Sequence, residues 1–276
     1  MALRARTRLR NGPASEAAEE ASFDATTYGT LVYHADFTNA AKVLTAGGGV
    51  ATDGQVIDTI TDSSASAINL QQTNNTYRPV CQTNEVQGYQ VARFDGGDGF
   101  PVPLANSSTI SKNRAGLTIA LTVKFSSFNA GRVVKLSDSA SGTRVFVYVQ
   151  GTSGRLAVEV KPQDGGVLQQ LYGDLSFNPD LVNWWIYVVK ADFAGNSLKS
   201  WLNNDVTIDD VDIGSSGSSS NTDATGADGN HIMFNHYGSN GVAGDIGELL
   251  IYNAALADGT ISNLITGLAS KYGVSL

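Results

Sequence analysis

Three kinds of side chain here could do chemistry: carboxylates, imidazoles, and aromatic rings with amides beside them. Carboxylates come first, because a pair flanking a groove can cleave a glycosidic bond. The stretch GDIGELLIYNAAL, Gly244 to Leu256, carries Glu248 at the head of an apolar run. Strand side chains alternate, so an acid two positions on would share its groove. Positions 250 and 252 are Leu and Tyr instead. Glu159, in VEVKPQDG, is followed two positions later by Lys161, and no Glu-x-Asp-x-x-Glu occurs anywhere. Glu248 therefore reads as a closing-strand residue satisfied by hydrogen bonds or solvent. No catalytic residue is expected.

Metal ligands are next. His34, His231 and His236 are scattered, and the last two fall on opposite faces of a regular strand. They predict no zinc site. The acids of DVTIDDVD (205–212) and DGGD (95–98) could offer oxygens to Ca²⁺. Asp and Gly equally mark turns, and acids decorate exposed strands. The expectation is no cofactor, with Ca²⁺ the one cation these loops could take.

Sugar binding needs exposed aromatics near amides. Trp201 with Asn203 and Asn204 and Tyr237 with Asn240 meet that description, and Tyr77 has the guanidinium of Arg78 beside it as a further candidate. The competing role for Trp184, Trp185 and Trp201 is packing between sheets. Trp184 and Trp185 are adjacent, so they point to opposite faces of a strand, and one is free to contact another element. Cys81 is the single cysteine, which excludes an intrachain disulfide.

Charge divides the chain. Arg4, Arg6, Arg8 and Arg10 alternate with small or apolar residues in MALRARTRLR, which holds no acid. Those four come from 18 Lys+Arg, leaving 14 basic against 26 acidic groups, or −12, in the rest. An acidic body repels nucleic acid and most membrane surfaces, so neither is the expected partner. On an extended segment the four arginines lie along one side and can pair with acidic carboxylates of a neighbour. ASEAAEEA (14–21) has helical composition but no apolar stripe. Residues 1–22 thus form an arm and linker, and 23–276 the folded domain. No apolar stretch follows the basic start, so no signal peptide is expected, and no run approaches the ~20 residues of a membrane span.

From Phe23 onward strand signals dominate. LTIALTVKFSSF (117–128) alternates Leu117, Ile119, Leu121, Val123 and Phe125 on one face. RVVKLSD, RVFVYVQ and RLAVEVKP follow at short intervals, split by Gly/Ser turns, and predict an antiparallel meander. NWWIYVVKADF and SLKSWLNND form a hairpin across AGN. GSSGSSSNTDATGADG (214–229) reads as a low-complexity loop. Ile261, Leu264, Ile265, Leu268, Ala269 and Tyr272 trace one helical face, with Asp258 as N-cap and Gly273 at the left-handed end. Short strands plus one helix predict an all-β fold of two packed antiparallel sheets.

Four stretches, in order, resemble the concanavalin A-like, laminin-G-like jelly-roll superfamily in the form found in phage and bacterial surface proteins. They are LVYHADFTNAAKV (31–43), RPVCQTNEVQGYQVARFDGGDGF (78–100), NWWIYVVKADFAGNSLKSWLNND (183–205) and GDIGELLIYNAALADGTISNLITGLASKYG (244–273). The resemblance implies a jelly-roll sandwich with a C-terminal helix. It hosts lectins, glycosidases and structural modules, so it does not fix function; some relatives hold Ca²⁺ at loop tips. Joined to the arm, it implies a non-catalytic virion protein, a capsid decoration, head-fibre or tail component. Its partners would be other capsid or tail proteins, or further copies of itself. The alternatives are a lectin for host surface glycans and a glycoside hydrolase.

Overall fold

The computed structural model describes residues 23–111, 113–128, 131–136, 144–150, 154–161, 169–172, 179–214, 230–232 and 242–276. The early strands are β1 (Leu31–Asp36), β2 (Val43–Leu44), β3 (Thr59–Ile60), β4 (Leu70–Gln71), β5 (Val80–Val86), β6 (Tyr89–Phe94) and β7 (Phe100–Val102). Helix α1 (Leu104–Ser111) precedes β8 (Gly116–Ser127), β9 (Gly131–Leu136), β10 (Arg144–Gln150), β11 (Arg155–Lys161) and β12 (Gln169–Tyr172). Then come β13 (Trp185–Asp192), β14 (Ser197–Leu202), β15 (Asp205–Asp212), β16 (Asn230–Ile232), β17 (Ala243–Tyr252) and α2 (Asp258–Tyr272).

Two antiparallel sheets make the sandwich. One runs β15-β14-β13-β8-β17-β6-β5, the other β12-β11-β10-β9-β16-β7. β2, β3 and β4 form a small third sheet. The meander expected from residues 132–162 is β9 to β11, and β12 extends it by one strand. β17 is the seam of the first sheet. β8 takes one of its edges, while β6 pairs with its start and β1 with its end.

The alternation read along β8 has a physical counterpart: Leu117, Ile119, Leu121, Val123 and Phe125 all enter the core between the sheets. The opposite face of the first sheet is not left to solvent. Ala120, Ile186, Val188, Leu250 and Tyr252 pack there beneath α2. This double burial explains why IYVV and ELLIY are continuous apolar runs rather than alternating ones. All six residues of the expected helical stripe are buried in α2.

The helix starts differently from the expectation. Ala257 takes the N-cap position without a side-chain bond, and Asp258 is the first helical residue. Its carboxylate instead reaches Lys190 (2.6 Å) and Lys199 (3.0 Å) on the sheet. The C-terminus matches: Gly273 has φ +63°, and Val274 N–H donates to the Ala269 carbonyl. α1 was not anticipated; LANSSTIS shows no apolar period. The arm (1–22) and most of the Gly/Ser loop lie outside the described residues.

Candidate functional site

The sequence left Glu248 as the sharpest question. β17 carries a register break between Ile246 and Glu248 on its β8 side. Ile246, Leu249 and Ile251 enter the inter-sheet core, whereas Leu250 and Tyr252 face α2. The break at Gly247 therefore shifts the alternation by one and turns Glu248 toward the helix. A side chain at 247 would not fit, since an added Cβ would lie 2.4 Å from the Tyr272 ring.

Facing α2, Glu248 is 1% exposed and fully engaged. Its Oε1 accepts from His34 Nε2 at 2.7 Å; its Oε2 accepts from Lys271 Nζ at 2.8 Å and the Tyr272 hydroxyl at 3.1 Å. His34 and Asp36, two apart on β1, share that face, and Lys271 Nζ also lies 3.6 Å from Asp36. Burial, followed by the charges of Glu248 and Asp36, holds the Tyr272 phenol well above its ordinary pKa. This clasp ties the first strand, the last strand and the helix together.

Two chemical roles are open to such a cluster in principle. His34, Asp36 and Glu248 each bring a ligand atom within 4.8 Å of the others. The ammonium of Lys271 already bridges the two carboxylates, where a cation would have to sit. As a hydrolytic pair, Asp36 and Glu248 lack access, because Glu248 is sealed beneath Tyr272 and Lys271. The cluster's evident work is mechanical.

A cleft of about 440 Å³ opens beside the clasp. Residues 182–185, Asn203 and 272–275 line it. The two adjacent tryptophans divide as their alternation demands: Trp185 packs against the inter-sheet core, and Trp184 lies on the helix side. The Trp184 and Tyr272 rings stack, 6.0 Å apart and 24° from parallel. Asn203 sits in the turn after β14 at φ +54°. Its Oδ1 accepts from Ile186 N–H at 3.0 Å and its Nδ2 donates to the Ser275 carbonyl at 3.3 Å. At the rim, Val182 is 74% exposed.

The other sequence candidates do not share this cleft. Trp201 is 5% exposed under Lys190 and Lys199, whose ammonium groups lie 5.7 and 5.5 Å from its ring centroid. It belongs to the helix-side cluster, not the inter-sheet core. Asn204 is exposed in the same turn as Asn203. Arg78 is buried beside Tyr77 and spends its guanidinium internally, on Asp58, Asn75 and the Gln72 carbonyl. Tyr237 and the arginines of the arm lie outside the described residues. Of the acids weighed for Ca²⁺, Asp209 and Asp210 face Lys199, and Asp212 accepts from Asn196 and Gly214. Asp98 is buried and accepts from Asp95 N–H. Trp184 stood only as a strand tryptophan in the sequence; its neighbour Trp185 was the signal that one ring must leave the core.

No protein-family model and no curated protein matches the sequence. Solved structures do. The binding domain of Paraclostridial Mosquitocidal Protein 1 superposes with TM-score 0.59 at 13% identity, over 87% of this chain and 52% of that one. Domain 4 of AbnA, a GH43 extracellular arabinanase from Geobacillus stearothermophilus, solved with arabinotriose, gives 0.52 at 17%, over 86% and 98%. The botulinum neurotoxin serotype D binding domain gives 0.50 at 9%, over 87% and 51%. The chain is a jelly-roll-like β-sandwich. At these identities the shared property is the fold.

Proposed function

We propose that this chain is a non-catalytic carbohydrate-binding module and that the Trp184 cleft receives the sugar. One observation carries the reading: a half-buried tryptophan, backed by a stacked tyrosine, in a cleft bounded by Asn183, Asn203 and Ser275. The apolar C–H face of a sugar ring packs on such a platform, and amides fix its hydroxyls. The similarity to an arabinanase domain solved with arabinotriose favours this reading over a purely structural one. The sealed state of Glu248 favours binding without turnover.

The test is a glycan screen with the full chain, followed by calorimetry on the best ligand. Trp184→Ala should cost at least tenfold in affinity, and Asn183→Ala several-fold, with melting curves showing that both still fold. Unchanged affinity in both variants would overturn the assignment of the cleft.

Attachment to a virion through Arg4, Arg6, Arg8 and Arg10 is a second reading, compatible with the first. Its support is the contrast between a +4 segment and a −12 remainder, together with the resemblance to phage surface modules. The expected setting is a particle on which copies of the module are anchored by their arms and turn the cleft outward.

A further inference from the structure

Sugars divide into neutral ones, recognised through hydroxyls, and acidic ones, whose carboxylate or sulfate must be met by a cation or several N–H donors. Among the described residues lining the cleft, none carries a charged side chain. The charges just outside it do not help an anion. Asp180 is exposed next to Asn183, and its carboxylate accepts from Asn183 N–H (2.7 Å), Val182 N–H (2.9 Å) and Asn183 Nδ2 (2.7 Å). Those bonds, led by the one from the Asn183 backbone, hold its pKa below the ordinary carboxylate range, so it stays anionic. Lys271, behind Tyr272, is committed to Glu248.

The amides point the same way. Asn183 gives one N–H of its Nδ2 to Asp180, which leaves the second N–H as a donor and its oxygen as an acceptor. Asn203 spends its oxygen on Ile186 and part of its Nδ2 on Ser275. An acceptor beside a remaining N–H suits a hydroxyl, which both donates and accepts. It does not suit a carboxylate, which would enter with no compensating cation. We infer that the cleft selects neutral glycans and discriminates against their sialylated, uronic or sulfated counterparts. This rests on the sugar-binding role of the cleft.

Matched ligand pairs test it. Calorimetry on the full chain would compare lactose with sialyllactose, and a neutral arabino- or xylo-oligosaccharide with its uronic acid-bearing form, at low and high salt. The neutral member should bind at least tenfold tighter, with little salt dependence. Val182→Lys, placing a cation at the exposed rim, should narrow that ratio by raising affinity for the acidic member in low salt. If the acidic member binds as tightly as the neutral one, and Trp184→Ala abolishes that binding, the selectivity is wrong while the sugar site stands. If no pair binds, or binding ignores both Trp184→Ala and Asn183→Ala, the sugar site falls and the selectivity with it.

Discussion

Glu248 Oε1 accepts a hydrogen bond from His34 Nε2 at 2.7 Å, across 214 positions of sequence. With Lys271 and Tyr272 on its other oxygen, Glu248 joins two strands and a helix. Removing one member of a buried ion pair leaves the other charge uncompensated. Glu248→Ala should therefore lose on the order of 3–5 kcal/mol of stability, read as a lower denaturant midpoint. Glu248→Gln keeps the shape and should lose less. Because Tyr272 backs Trp184, Glu248→Gln should also weaken sugar binding modestly, by raising the mobility of the platform.

Gly247 should resist substitution for a reason separate from backbone freedom. An added methyl meets the Tyr272 ring. Gly247→Ala is expected to cost about 1–3 kcal/mol, as overpacking does. The cost should shrink in a Tyr272→Leu background, and a double-mutant cycle on chemical unfolding measures that coupling.

Asp98 predicts a pH dependence. It is 4% exposed, and burial pushes its carboxyl up to about 7. The Asp95 N–H bond opposes the shift, and the charge of Asp95 adds to it. An unfolded aspartate titrates near ~3.9, so the folded state holds the extra proton between that value and about 7. Stability from this group is present below the unfolded value and falls as pH rises through the window. Asp98→Asn should flatten the slope between pH 4 and 7, leaving the variant the more stable of the two above neutrality. Urea midpoints across that range decide it.

The arm gives a prediction about assembly. A 23–276 truncation keeps every described contact and should melt with the full chain. It should lose association with particles or further copies, and salt should weaken the full-length contact. Native mass and particle co-sedimentation at two salt concentrations check both statements. Identical monomers that ignore particles would remove the anchoring role.

How much was legible beforehand follows from the range of each interaction. β8 and α2 could be read directly, because their apolar periods are local and the core simply received them. The hairpin of β13 and β14 was equally plain. The clasp was not: His34, Asp36, Glu248 and Lys271 each look ordinary alone, and only the pairing of β1 with β17 brings them together. The Trp184 cleft was half visible. Two adjacent tryptophans require one to leave the core, but nothing local says that Tyr272 waits for it. Arg78 looked like an exposed partner for a sugar because its acid, Asp58, is 20 positions away.

The position of β17 also sets a timetable. β8, β6 and β1 all hydrogen-bond to this strand, and it follows all three in sequence. Until residues 243–252 leave the ribosome, the first sheet is missing the strand that joins β1, β6 and β8, and those neighbours wait without their partner. Pairings this distant in sequence make for slow closure and a sticky nascent chain. The first sheet can close only once β17 has been made, and yield in the cell should depend on how well that interval is chaperoned.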